Sequence, residues 1–86
     1  MGLDSVELVM KWEEAFSISI PDRVAGQIVT PAMAAEAIAK ILEEEGLSME
    51  RDEIDRIIKL TTLDQLGITE KDYRIDARFV EDFGMD

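Results

Sequence analysis

The 86-residue chain has no cysteine and no histidine. Those absences remove disulfides, thiolate nucleophiles, Ser-His dyads and zinc sites built from the usual ligands. Basic residues are scarce. Nine Lys plus Arg stand against twenty Asp plus Glu, for a formal net charge of −11. A nucleic-acid binder needs a basic footprint, and phosphates would repel this chain. An anionic membrane surface would repel it too. Long apolar runs are missing as well. The longest apolar-rich stretch, Ile28 to Leu42, is interrupted by Thr30, Pro31, Glu36 and Lys40, so no segment reads as a bilayer span. The start, Met-Gly-Leu-Asp, carries no basic leader; no signal peptide is expected, and a cytoplasmic location is the default expectation.

What is present suits one small domain. A chain of this length hides only roughly 60–65% of its unfolded surface, but a hydrophobic fraction of 47% suffices for a single core. The periodicity is helical nearly throughout, and strand signals are weak. Leu3, Val6, Val9, Met10 and Phe16 recur at three- and four-residue steps, with Leu8 and Trp12 flanking that stripe and Asp4, Glu7, Lys11 and Glu14 on the other side. This helix should end near Phe16, with Ser17–Ile20 extended before Pro21-Asp22. Residues 22–28 hold at most short helical turns, weakened by Gly26. Thr30-Pro31 reads as an N-cap followed by proline at the first helical position. Met33, Ala34, Ala37, Ile38, Ile41 and Leu42 then share one face, and Gly46 sits where a terminating glycine belongs. A further helix is expected from about Glu50 to Leu66, with Ile54, Ile57, Ile58 and Leu60 or Thr61 inward and Gly67 ending it. Ile68 to Ile75 reads as a polar loop anchored by Tyr73 and Ile75. The class is all-α: three substantial helices, one short one and a long ordered loop.

Catalysis by these side chains is not expected. Twenty acids on a small helical surface make close carboxylate pairs by chance, and a solvated face explains them. Asp72-Tyr73-Arg74-Ile75-Asp76 alternates acids as a calcium loop does, but Arg74 occupies the middle ligand position and no glycine follows; no metal ligands are expected. Asp4-Ser5 lies in the opening turn of the first helix. Ser5 is either a solvent-facing hydroxyl or a phosphoryl-type attachment point, where free N–H groups and the positive end of the dipole favour a phosphodiester.

Val6-Glu7-Leu8-Val9-Met10, Glu13-Glu14-Ala15-Phe16 and Ile18-Ser19-Ile20-Pro21-Asp22 resemble the second helix and following loop of acyl carrier proteins, and residues 30–42 are similar to that family's last helix. Met49-Glu50-Arg51-Asp52-Glu53-Ile54 onward resembles the family's first helix, and Leu66-Gly67-Ile68 its end. Residues 76–86 resemble the segment just before the family's attachment serine. The pieces cover almost the whole chain in exchanged order. Residues 1–45 look like a carrier protein's second half and 49–86 like its first, joined through 46–48. The resemblance implies a single carrier-like four-helix domain, circularly permuted with its cut at the Asp-Ser-Leu attachment motif. The permutation could be engineered or natural, or the chain could be a segment of a tandem pair.

In that family the motif's serine carries 4′-phosphopantetheine, whose thiol holds acyl groups as thioesters, as in fatty acid or polyketide biosynthesis. An acidic helix docks on the basic patches of synthase and acyl-transfer enzymes and of the phosphopantetheinyl transferase. The resemblance therefore implies a non-enzymatic, monomeric carrier with Asp4, Glu7, Glu13, Glu14 and Asp86 as partner-facing acids. The register departs from the pattern. Nineteen residues before Pro21 stands Gly2, where the serine belongs, with Asp86 and Leu3 beside it. The competing alignment takes Asp4-Ser5-Val6 as the motif and needs a three-residue deletion in the helix. Under the first register the chain would not be loaded; under the second Ser5 is the attachment site. Val6, Val9, Phe16, Ile38, Ile41, Ile54, Ile57, Ile58, Phe79 and Phe83 are the expected core, with Met10, Met33 and Trp12 as ordinary packing residues. The alternative reading is a small acidic helical interaction module without a prosthetic group.

Overall fold

The computed structural model describes residues 3–85. Four α-helices follow in order, α1 Leu3–Phe16, α2 Asp22–Ala25, α3 Pro31–Glu44 and α4 Arg51–Leu66, and a single 3-10 turn covers Glu70–Asp72. The chain adopts the expected all-α class, three main helices and one short. Helix ends fall where local chemistry puts them. Thr30 Oγ1 accepts from the Met33 amide at 3.2 Å, leaving Pro31 at the first position, where its missing N–H is harmless. At the far end of α3 the Leu47 amide reaches Leu42 O at 2.8 Å and the Gly46 amide reaches Glu43 O at 3.0 Å. This pair of bonds closes the last turn and needs a left-handed residue; Gly46 supplies it with φ 74°. Gly67 ends α4 in the same region, at φ 66°.

α4 packs against both α1 and α3. Its contacts with α1 run antiparallel: Gln65 meets Asp4 and Glu7, Asp64 meets Lys11, and Thr61 meets Trp12. Residues 45–50, all exposed, join α3 to α4, and so short a connection makes the two helices antiparallel neighbours. The core gathers Leu8, Trp12 and Phe16 from α1, Ala34, Ala35, Ile38 and Leu42 from α3, and Ile54 and Ile58 from α4.

The segment after α4 is pinned rather than trailing. The Ala32 amide donates to Ile75 O at 2.8 Å, and the Phe79 amide to Val29 O at 2.9 Å. An aromatic row continues the attachment, since Trp12 meets Phe79 at 5.8 Å, Phe79 meets Phe83 at 6.0 Å and Phe83 stacks on Tyr73 at 5.8 Å between centroids. Such pairs add to the plain burial of their area. The radius of gyration, 11.9 Å, matches the value of about 12 Å for a compact chain of this length.

The packing corrects several sequence expectations. The buried stripe of α1 is Ser5, Leu8, Trp12 and Phe16, whereas Val6 and Met10 face solvent and Val9 is only half-buried. Both stripes have helical spacing. The one holding the larger ring buries more apolar area, and Trp12 has Phe79 and Thr61 as partners. In α3, Ala35 is inside and Met33 is exposed. In α4, Thr62 takes the buried place expected of Leu60 or Thr61; its hydroxyl donates to Ile58 O at 2.7 Å, which makes burial tolerable. Leu60 points outward. Ile75 anchors its loop through its backbone carbonyl, while its side chain stays exposed.

Candidate functional site

The α1 helix carries the chain's candidate acids. Asp4 Oδ1 and Glu7 Oε2 accept from the Gln65 amide at 3.2 and 3.1 Å. Lys11 Nζ lies 2.7 Å from Asp64 Oδ2 and holds that carboxyl below the usual carboxylate range. Glu13 turns inward: its Oε2 accepts from the Ile20 amide at 2.7 Å and fixes the loop that leaves the helix. Glu14 remains exposed. Val6, Glu7, Met10 and Glu14 therefore share the solvent face of α1, an acidic strip with two apolar side chains in it. The expected set of partner-facing acids is split, since Glu13 holds the fold and Glu7 and Glu14 face out.

Beside this face lies a cleft of about 430 Å³. The buried stripe of α1 supplies one side through Ser5, Leu8 and Trp12. Ala25 and Ile28 supply another, and Phe79 and Met85 come from the segment after α4. Arg78 and Glu81 stand at its edge. The Arg78 guanidinium pairs with Glu81 and Asp82. Its backbone amide also donates to Asp82 Oδ2 at 2.7 Å, and that bond, with the guanidinium, holds Asp82 below the usual carboxylate range. Sequence reasoning missed this cleft. The signal was the three- and four-residue spacing of Ser5, Leu8, Trp12 and Phe16, but the opposing wall comes from residues distant in the chain.

Ser5 is 8% exposed in the opening turn of α1 and faces the cleft, not solvent. Gly2 and Asp86, the other members of the expected attachment site, lie outside the described residues, and glycine offers no hydroxyl. Among the described residues no group of three or more acids is placed to hold a metal ion, and no helix is long and apolar enough to cross a membrane.

No family model and no solved structure matches the chain. Over 39 residues, 45% of its length, it is 55% identical to an acyl carrier protein of Picosynechococcus sp.. Over about half of its length the chain is similar to acyl carrier proteins. Over 45 residues, 52% of its length, it is 46% identical to acyl carrier protein 4, chloroplastic, and to acyl carrier protein 1, chloroplastic, both of Cuphea lanceolata. The chain spans about half the length of the first relative, 48%, and 32% of each of the other two.

Proposed function

We propose that this chain is a carrier-type domain of acyl transfer, written in permuted order, which does no chemistry itself and docks through α1 on basic patches of synthase or acyl-transfer enzymes. The relationship to acyl carrier proteins carries the reading. The solvent face of α1 supports the docking part. Glu7 and Glu14 supply charge that speeds encounter and sets salt dependence, and Val6 and Met10, exposed between them, supply apolar contact. The permuted order draws support from the antiparallel packing of α4 on both α1 and α3, and from Met85 and Ser5 lining one cleft.

The proposal includes a loading state. With Gly2 in the serine register and Ser5 turned into the cleft, the chain as written takes no 4′-phosphopantetheine from coenzyme A. Intact mass after incubation with coenzyme A and a broad-specificity phosphopantetheinyl transferase tests it. The parent sequence should keep its mass, and Gly2→Ser should gain the mass of one arm. A gain in the parent that disappears in Ser5→Ala would move the attachment to Ser5. A folded Gly2→Ser that stays unmodified beside an active control would remove the carrier reading and leave the acidic interaction module.

A further inference from the structure

A second groove, of about 560 Å³, runs between α2 and α3 and shares only Ile28 with the cleft beside α1. Its floor is flat, because Ala32 and Ala37 reach no further than Cβ. Val24 and Ile28 form the α2 side, and Met33, 42% exposed, forms an edge. Val24, Ile28, Ala32 and Ala37 are all only half-buried, so this apolar surface meets water.

Charge collects at one end of the groove. Glu36 and Lys40 stand one turn apart on α3, and Arg51 opens α4 beside them. Arg51 Nη1 lies 3.8 Å from Glu36 Oε1, and its Nε lies 3.4 Å from Asp55 Oδ1. Both contacts are long for charge-assisted bonds, and neither engages Nη2. Lys40 has no ion pair or hydrogen bond among the described residues. An apolar groove thus ends at two cationic groups with donors to spare. A field from a net charge of −11 repels a polyanion, whereas a single carboxylate can be matched by this pair.

Shape narrows the ligand further. From Ala32 to Lys40 the helix rises about 1.5 Å per residue, about 12 Å in all, the length of a two-ring aromatic acid. A rigid ring laid on the alanine floor gives up little internal freedom, whereas a flexible chain must be straightened on an open surface. The Met33 thioether suits a ring edge.

We propose that this groove binds an aryl monocarboxylate, its ring plane on Ala32 and Ala37 and its carboxylate between Lys40 Nζ and Arg51 Nη2. The proposal stands on the groove alone and makes no use of the carrier reading.

Amide NMR titration of the full chain with 2-naphthoate tests it. Saturable shifts should centre on Ile28, Ala37, Lys40 and Arg51. Lys40→Gln should raise the dissociation constant about two- to fivefold, the worth of one exposed charge pair. The neutral 2-naphthylmethanol, which loses both charge contacts, should bind about tenfold more weakly than the acid. Octanoate, which keeps the charge and lacks the ring, should bind here at least about threefold more weakly. Ala37→Leu should weaken binding at least about tenfold, because the added side chain occupies the place of the ring. The proposal is overturned if these amides show no saturable shift, if the shifts centre on Leu8 and Trp12 instead, if either analogue equals the acid, or if a folded Ala37→Leu binds like the parent. Should Ala37→Leu fail to fold by circular dichroism, the two analogues and Lys40→Gln, a change at an exposed side chain, decide without it. The transferase experiment reads a different quantity, so loss of the carrier reading leaves this one standing.

Discussion

Trp12 Nε1 donates to Thr61 Oγ1 at 2.9 Å, between two helices that cross the core in opposite directions. The same hydroxyl donates onward to the Ile57 and Ile58 carbonyls at 2.9 and 3.0 Å. One oxygen thus satisfies the only polar atom on the largest ring of the core and ties α1 to α4.

Replacing Thr61 by Val keeps the shape and removes the acceptor. The buried indole N–H is then orphaned, which costs about 1–3 kcal/mol. Thr61→Val should lower the urea midpoint by the equivalent of about 2 kcal/mol without changing the slope, while Thr61→Ser should keep most of the stability. Equal midpoints for Thr61→Val and the parent would show that the bond contributes nothing.

Glu13 and Glu14 are adjacent acids with different work. Glu13 accepts from the Ile20 amide at 2.7 Å, close to Ser17, which holds φ 55° without being glycine. Glu13→Ala should cost about 1.5 kcal/mol, since a hydrogen bond to a charged acceptor is lost. Amide exchange at Ile20 should speed up with it. Glu14→Ala should stay within about 0.5 kcal/mol of the parent. Similar effects from both substitutions would contradict the assignment of Glu13 to the loop.

The parts of this fold that were legible in the sequence are the parts whose cause is local. Thr30-Pro31 opens α3, and Gly46 and Gly67 close α3 and α4, because capping and left-handed turns depend on residues a few positions apart. The face of α1 that turns inward was not legible. Val6 with Met10 and Leu8 with Trp12 are both acceptable helical stripes, and the choice rests on Phe79 and Thr61, far along the chain. The same distance hid the cleft. The candidate acids were readable as acids, but their separation into a loop clamp at Glu13 and an outward face at Glu7 and Glu14 depends on how residues 17–20 return. The similarity to acyl carrier proteins over about half of the chain was legible from short motifs.

Tyr73 gives an alkaline signature. Burial, and then the negative charge of Asp55, push its hydroxyl up to about 12 from an ordinary 10.0. The folded state therefore holds this proton more tightly than the unfolded chain. Its contribution to stability is complete below pH 10 and is lost as pH rises from there to about 12. As the chain's one tyrosine, it can be followed by tyrosinate absorbance, which should appear only near the upper end of that window while the chain stays folded. Tyr73→Phe should flatten that part of the stability profile. A parent tyrosine that titrates at its ordinary value in the folded chain would place its ring in water.

Added salt should stabilise the fold, and the sign follows from a competition. Salt weakens the attractive pairs Lys11–Asp64, Arg51–Glu36 and Lys59–Glu70, all of which lie at the surface, where such pairs contribute about 0–1 kcal/mol. It also weakens repulsion among twenty acids opposed by nine bases. With an excess of eleven negative charges on a small surface, repulsion outweighs these weak attractions, so screening helps the compact state. The urea midpoint should rise with NaCl and level off within a few tenths molar, as the Debye length falls from about 10 Å at 0.1 M towards 3 Å at 1 M. A rise that continues linearly past that point would instead be a salting-out effect on apolar surface. A midpoint that falls with salt would mean that the interhelical pairs outweigh the net charge.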